Sequence, residues 1–219
     1  ELIRLRREIH ENTELGFRET RTAQLEVEML REIGGMEITT GIAKTGVVAD
    51  LGTGGRTIAI RADMDALPIL EQTNTPYAST SAGVMHACGH DAHTAMLLGT
   101  ALLLRERMAQ ENLSGRVRFL FQPSEEQSDE ENKSGGLRMV EEGAMHDVDA
   151  IIALHVDSML PVGKVALQSG WVTAAVDEFE AWLTAGGGHG AFPHETPDTI
   201  WMLAPVLTAL HAITARRIN

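Results

Sequence analysis

The sequence predicts an α/β fold with a mixed, mostly parallel sheet flanked by helices. Segments of helical periodicity alternate with three short runs of apolar and β-branched residues, at 56–62, 116–121 and 150–154. Each run is followed by side chains that carry chemistry, in chain order Asp63 and Asp65, Glu125 and Glu126, and His155. Open α/β sheets bind their ligands in the crevice at the carboxyl ends of their strands. This recurrence therefore indicates strands that end at one common edge of a sheet.

Two helices are predicted at the start of the chain. Leu2–His10 and Thr20–Ile33 carry apolar residues at spacings of three and four, the period of an amphipathic helix. Gly34 and Gly35 end the second helix. A further β-branched run, Val47–Leu51, is separated from the next run by a glycine-rich turn, which is typical of a hairpin or of the start of a sheet.

Two more helices are predicted between the later strands. Ala95–Met108 is an apolar run of helix-forming residues, and Asp91 stands where an N-cap is expected. Gly136–Glu142 is a shorter helical stretch. These helices would cover the sheet between its strands.

The last part of the chain predicts the beginning of a second, smaller α+β domain. Val176–Thr184 alternates as a half-exposed strand does, and Asp198–Arg216 has the period of a long helix. We therefore predict one domain over residues 1–170 and part of another over 171–219. One strand and one helix leave a sheet edge open, so a partner or further chain is expected to cover it.

Composition excludes several classes of function. The 219 residues carry a formal net charge of −13, which argues against a nucleic-acid partner because such partners attract clustered Lys and Arg. No apolar run is long enough to span a bilayer, so no membrane partner is expected. A single cysteine excludes an internal disulfide and fits a reducing compartment, so we expect a cytoplasmic protein.

The densest cluster of chemically active residues lies at 85–93. Three histidines, the only cysteine and one aspartate fall within nine positions, namely His86, Cys88, His90, Asp91 and His93. Imidazole and thiolate are preferred ligands of zinc and related cations, so the stretch predicts a metal site at a helix start. The alternatives are a buried inert thiol or histidines on a solvated turn, although ionisable side chains rarely crowd a core without partners.

Acidic residues and one more histidine at strand ends extend the candidate site. Glu125 and Glu126 are adjacent, so in an extended segment one can bind a metal while the other faces a water. A solvated acidic loop is the alternative, favoured by further acids just downstream. Asp63 and Asp65 are caps, metal ligands or residues that orient a ligand histidine. His155 is either a ligand or a core histidine.

Five motifs in order along the chain resemble those of the M20 metallopeptidase family: Arg61–Pro68, His86–His93, Phe121–Glu126, Leu154–Val156 and Gly187–His194. The most similar branch contains N-acyl-amino-acid amidohydrolases, hippurate hydrolase, auxin-conjugate amidohydrolases and related carboxypeptidases. The resemblance implies a zinc-exopeptidase-like catalytic domain followed by a lid domain through which the protein forms a homodimer. It also implies two divalent metal ions, either Zn, Mn, Co or Ni, and a small N-acyl amino acid or peptide as substrate.

The resemblance further implies a role for each site residue. The metal ligands would be Cys88, His90, Glu126 and His155. Asp65 would support the metal site, and Glu125 would be the general base that takes a proton from a water activated by the cations. His189, on the lid, would help to stabilise the oxyanion, commonly in the active site of the partner subunit.

Three features depart from the family's motifs. Thr13 stands where the family usually has proline, and Gly186 where it usually has lysine. The family's last metal ligand is a histidine near the end of a chain nearly twice as long, whereas His211 lies in an apolar helix pattern and is predicted to be structural. The alternative function is therefore a catalytically incomplete metal-binding or dimerising fragment that lacks the C-terminal ligand.

Overall fold

The structure is a computed structural model that describes residues 1–170, 172 and 180–217, with side chains as far as residue 213. The chain separates into two units, Glu1–Lys164 and Val165–Asn219. In the described part of the chain, the first unit contains all the strands and the second contains one long helix. The assignment of a catalytic domain to residues 1–170 and of a lid domain to residues 171–219 stays a prediction.

Two amphipathic helices open the first unit and confirm the predicted pair. Helix α1 spans Leu2–Glu11 and α2 spans Thr20–Ile33. The carboxylate of Glu14 accepts hydrogen bonds from the backbone N–H groups of Arg21 and Thr22 at 3.0 and 2.8 Å. It thereby satisfies donors that the first turn of a helix leaves without intrahelical partners. Helix α2 begins where this side chain can reach it.

A five-stranded mixed sheet forms the centre of the first unit. Its strands are β1 (Met36–Ile42), β2 (Gly46–Leu51), β3 (Thr57–Asp63), β4 (Arg116–Gln122) and β5 (Ala150–Ala153). Their spatial order is β1-β2-β4-β3-β5. Strand β3 pairs in parallel with β4 and β5, whereas β2 pairs antiparallel with β1 and β4. The predicted mixed sheet is confirmed, with parallel and antiparallel pairings in equal number.

Two features of the sheet differ from expectation. The hairpin alternative for the runs on either side of Gly52 is wrong, because β4 lies between β2 and β3 and pairs with both. Strand β1 is absent from the predicted elements because only three of its seven residues are even partly buried, so apolar alternation is weak.

Helix α3 (His90–Glu111) connects β3 to β4 and starts within the predicted metal-binding stretch. It contains the predicted apolar helix. Its N-cap is Gly89, in the left-handed region with a φ of 90°, so the prediction of Asp91 as N-cap is wrong. Asp91 lies in the first turn, where its side chain pairs with Arg6 and His10 of α1 instead of capping its own helix.

Apolar side chains form two clusters, one on each face of the sheet. The first joins α1, α2 and α3 to the sheet through residues that include Leu5, Leu30, Leu98 and Phe119. Helix α4 (Gly135–Glu141) matches the predicted stretch within one residue. The second cluster joins α4 to the opposite face through residues that include Val48, Leu120 and Met139. The central strands of the sheet are therefore covered on both faces, as in α/β proteins.

The second unit contains helix α5 (Thr199–Arg217), which confirms the predicted long helix. The side chain of Asp198 caps it by accepting hydrogen bonds from the backbone N–H groups of Ile200 and Trp201 at 2.9 and 3.1 Å. Of the predicted strand Val176–Thr184, residues 176–179 lie outside the described residues, and 180–184 have no regular secondary structure. Crossing a bilayer requires a length and apolarity that none of the described helices reaches.

Candidate metal centre

Three strand ends and the start of α3 bring predicted site residues together. The residues past the strand ends are Asp65 after β3, Glu125 and Glu126 after β4, and His155 after β5. Because β3, β4 and β5 are parallel neighbours, these side chains share one edge of the sheet. Cys88 and His90 reach the same edge from the loop that leads into α3 and from its first turn.

Cys88, His90 and His155 form the first group of converging ligand atoms. Cys88 Sγ lies 3.3 Å from His155 Nε2, and the ligand atoms of all three residues lie within 4.8 Å of one another. Atoms that bind one zinc ion tetrahedrally, at about 2.0–2.3 Å from it, are roughly 3.3–3.6 Å apart. The spacing of Sγ and Nε2 therefore fits ligands that share a cation.

His90 also belongs to a second group, with Glu125 and Glu126, whose ligand atoms again lie within 4.8 Å of one another. His90 Nε2 is buried and has no hydrogen-bond partner among the described residues. It lies 3.8 Å from Glu126 Oε1, which is beyond hydrogen-bond distance. A cation between these groups would satisfy the nitrogen, and the mixture of thiolate, imidazole and carboxylate suits borderline divalent ions such as zinc.

Asp65 holds two of the converging residues in place. Its Oδ1 accepts a hydrogen bond from His90 Nδ1 at 3.1 Å, and its Oδ2 accepts one from the backbone N–H of Glu126 at 3.0 Å. A proton on Nδ1 directs His90 Nε2 toward the other ligand atoms, as carboxylates behind ligand histidines do. Of the alternatives open for Asp65, the orientation of a histidine is the one that these contacts favour.

Negative charge at the site shifts the protonation of its residues. Burial, followed by a hydrogen bond and the charge of Glu126, raises the pKa of Cys88 to about 12. Partial burial and the charge of Glu126 also raise the pKa of Glu125. Burial lowers the pKa of His90, but the hydrogen bond to Asp65 and the surrounding carboxylates outweigh it, and the net shift is upward. All three shifts favour the less negative form, so the centre has a deficit of positive charge that divalent cations would supply.

Asp63 and His93 form a buried pair beside these residues. His93 Nδ1 donates to Asp63 Oδ1 at 2.5 Å, and Arg61 Nη1 lies 2.7 Å from Asp63 Oδ2. Burial raises the pKa of Asp63, but these partners outweigh burial and lower the pKa to about 2. Asp63 thus orients His93. In the sequence analysis, His93 belongs to the metal-binding stretch but has no role of its own. The signal for it is the spacing of three residues from His90, which places both rings on one face of α3.

His86 and Asp91 lie in the predicted metal-binding stretch but in none of the ligand groups found among the described residues. Asp91 Oδ2 accepts a hydrogen bond from His10 Nδ1 and pairs with Arg6 Nε, each at 2.7 Å, and so links α3 to α1. His86 is 3% exposed, and burial lowers its pKa to about 4, which keeps the ring neutral. Asp91 therefore supports the stretch through α1, and neither residue is among the converging ligands of the described part of the chain.

His189 lies in the second unit, and its part in binding an oxyanion stays a prediction. The ring is exposed, and its Nδ1 accepts a hydrogen bond from the backbone N–H of Ala191 at 3.1 Å. His211 lies within α5, as its helical pattern predicts.

The sequence of the chain matches that of a known protein family. Residues 59–216 match Peptidase family M20/M25/M40. The chain belongs to this family. The match begins in β3 and includes every predicted site residue from Asp65 to His189. The resemblance of the sequence motifs to M20 metallopeptidases is thereby confirmed.

Relatives of this M20 chain bear the names of carboxypeptidases and amidohydrolases. Over 100% of its length, the chain is 42% identical to thermostable carboxypeptidase 2 of Saccharolobus solfataricus and 43% identical to an N-acyl-L-amino acid amidohydrolase of Geobacillus stearothermophilus. It covers 55% and 58% of those two proteins, and so spans about half of their length. The crystal structure of a dinuclear metal binding peptidase of the M20 family from Bacillus subtilis is 47% identical, with a TM-score of 0.67 over 74% of this chain and 44% of that chain.

Proposed function

We propose that the complete protein is a metal-dependent hydrolase that cleaves the amide bond of N-acyl amino acids or small peptides. The observation that carries this proposal is the convergence of Cys88, His90, Glu126 and His155 beside Glu125 at the strand ends. The names of the relatives support the substrate class. A carboxypeptidase and an N-acyl amino acid amidohydrolase both cleave an amide whose nitrogen belongs to a carboxyl-terminal amino acid.

The residues proposed to hold two divalent cations, drawn from Zn, Mn, Co and Ni, are Cys88, His90, Glu126 and His155. When bound, such cations supply a Lewis acid for a carbonyl oxygen and lower the pKa of water toward neutrality. Asp65 keeps two of the ligands in place through His90 Nδ1 and the backbone N–H of Glu126. The donor set supports this assignment, as does the buried Nε2 of His90, for which the described residues provide no hydrogen-bond partner.

Glu125 is proposed as the general base. Glu125 is exposed next to Glu126, but the protein atoms around its carboxyl group displace part of its hydration, and this desolvation together with the charge of Glu126 raises its pKa. A carboxylate with a raised pKa is better matched to proton transfer at neutral pH. Glu125 would accept a proton from the attacking water and return it to the nitrogen of the leaving amino acid.

His189 is proposed to act from a lid domain over residues 171–219 through which two copies of the protein associate. Its imidazole would donate a hydrogen bond to the carbonyl oxygen as that oxygen gains negative charge. The order of motifs from Arg61 to His194 supports this role. Sedimentation of the complete protein at several concentrations tests the homodimer, and a strictly monomeric protein would contradict it. Cytoplasmic location stays a prediction.

The proposed function is tested with Glu125→Gln in the complete protein. The amide keeps the size of the carboxyl group but does not accept a proton at neutral pH, so kcat on N-acyl amino acids should fall ~10²–10⁴-fold while metal content stays constant. Glu130→Gln, at an exposed position of the same loop, is the matched control and should keep the wild-type rate.

An unchanged rate for Glu125→Gln would refute the assignment of the base. A wild-type protein that binds cations but hydrolyses none of these substrates would favour the alternative of a non-catalytic metal-binding module.

A further inference from the structure

His155 is carried by a short segment that follows β5. In the part of the chain that the structure describes, β5 lies at one end of the sheet order, and all four of its residues are exposed. The contacts of this segment therefore bear directly on the distance of 3.3 Å between His155 Nε2 and Cys88 Sγ. We refer to His155–Val156 as the ligand segment.

Val156 is the point at which the ligand segment is attached to α3. Its backbone N–H donates to His93 Nε2 at 2.9 Å, and its carbonyl oxygen accepts from His155 Nδ1 at 2.7 Å. A Cβ atom at Gly89 would clash with Val156 Cγ2, so the loop that carries Cys88 packs directly against the ligand segment. The position of Val156 therefore sets the position of the His155 ring.

His93 is held in one orientation and one tautomer by the groups behind it. Its Nδ1 donates to Asp63 Oδ1 at 2.5 Å, and Asp63 is itself held by Arg61 at 2.7 Å. A neutral imidazole that carries its proton on Nδ1 has its only ring lone pair on Nε2, and the N–H of Val156 uses that lone pair. The His93 ring is 3% exposed and packs against the ring of His155, with 4.7 Å between centroids.

We propose that His93 is a positioning residue that fixes the ligand segment through Val156 and so directs His155 Nε2 toward Cys88. It is not a metal ligand, even though the ligand atoms of Asp63, His90 and His93 lie within 4.8 Å of one another, because both ring nitrogens of His93 are already used. This inference rests on the proposed function, since it assumes that His155 binds a cation. The hydrogen bond between Val156 and His93 requires no cation, so it can be tested separately.

The test compares His93→Leu with His93→Gln in the complete protein. Leucine removes both hydrogen bonds, whereas glutamine keeps one acceptor for the N–H of Val156 and one donor for Asp63. Leu98→Ala is the matched control, because it removes a buried side chain of the same helix that belongs to the core cluster and not to the site. Two properties are measured: hydrogen exchange of the Val156 amide without metal, and the affinity for Co²⁺ together with the thiolate-to-cobalt absorption band of Cys88.

For His93→Leu we expect faster exchange at Val156, Co²⁺ affinity lowered roughly 10- to 100-fold, and a weakened thiolate band. His93→Gln should restore both properties to within a few-fold of wild type, and Leu98→Ala should leave the band unchanged.

Equal loss of Co²⁺ in the Gln and Leu variants would overturn the proposal in favour of a ligand role for His93. Unchanged exchange at Val156 in His93→Leu would also overturn it. A wild-type protein that binds no Co²⁺ would instead refute the proposed function, and the exchange measurement would still decide whether His93 fixes Val156.

Discussion

Glu26 of α2 is expected to destabilise the fold at neutral pH. Its side chain is 0% exposed, and neither carboxylate oxygen has a hydrogen-bond partner among the described residues. Burial, with the charges of Glu19 and Glu14 as smaller causes, raises its pKa well above 4.5. Above pH 4.5 the carboxyl group of Glu26 loses its proton in the unfolded chain but retains it in the folded chain. The free energy of unfolding therefore falls by up to about 1.4 kcal/mol per pH unit until the pH passes the folded pKa.

Glu26→Leu keeps a side chain of similar size without the ionisable group. It should raise the free energy of unfolding by about 1–3 kcal/mol at neutral pH, which is the usual cost of a buried unpaired polar group. The gain should shrink as the pH falls through 4.5, because well below that pH the wild-type carboxyl is protonated in both the folded and the unfolded state. Urea unfolding between about pH 5 and pH 8 measures both effects. Glu32→Leu, at an exposed position of α2, is the control and should show no such pH-dependent gain.

A Glu26→Leu variant that is no more stable than wild type at neutral pH would show that the buried carboxyl does not destabilise the fold. A gain that is the same at every pH would show this too, because a constant gain would come from apolar packing and not from the buried carboxyl.

Two further predictions concern residues that support the metal centre. Asp65→Asn should lower Co²⁺ affinity roughly 10- to 100-fold in a chelator competition, because the charge that orients His90 is lost; unchanged affinity would contradict this role. Gly89→Ala should lower the free energy of unfolding by about 1–3 kcal/mol more than Gly54→Ala. Both glycines have positive φ, but only at Gly89 would the new Cβ clash with Val156. Equal losses of stability in thermal unfolding would show that the close packing of Gly89 against Val156 is unimportant.

The location of the candidate site was predictable because strand ends are visible in the sequence. The β-branched run before Asp65, the run before Glu126 and the run before His155 all end at one edge of the sheet. Parallel neighbouring strands bring the residues at their carboxyl ends together, regardless of the length or structure of the segments that connect the strands. The helices were predictable for a similar reason, since apolar periodicity reports which face is buried.

The remaining features depend on contacts between distant parts of the chain. Strand β4 inserts between β2 and β3, which local turn residues at Gly52 do not report. His93 meets Val156 across a separation of 63 residues, so its role follows from tertiary structure alone. Aspartate is a residue type preferred at N-caps, yet the partners of Asp91, Arg6 and His10, lie on another helix. Glu26 is polar at a position that the fold buries, and a helical pattern tolerates one such residue.

We infer that the residues around Cys88 hold divalent cations. The metal content per chain of the complete protein, purified without chelator, tests this for wild type and for Cys88→Ala, which removes the only cysteine of the chain. We expect two divalent cations per chain in the wild type and a clear loss in the variant. A wild-type protein without bound cations, or a metal content that Cys88→Ala leaves unchanged, would show that these residues do not hold them.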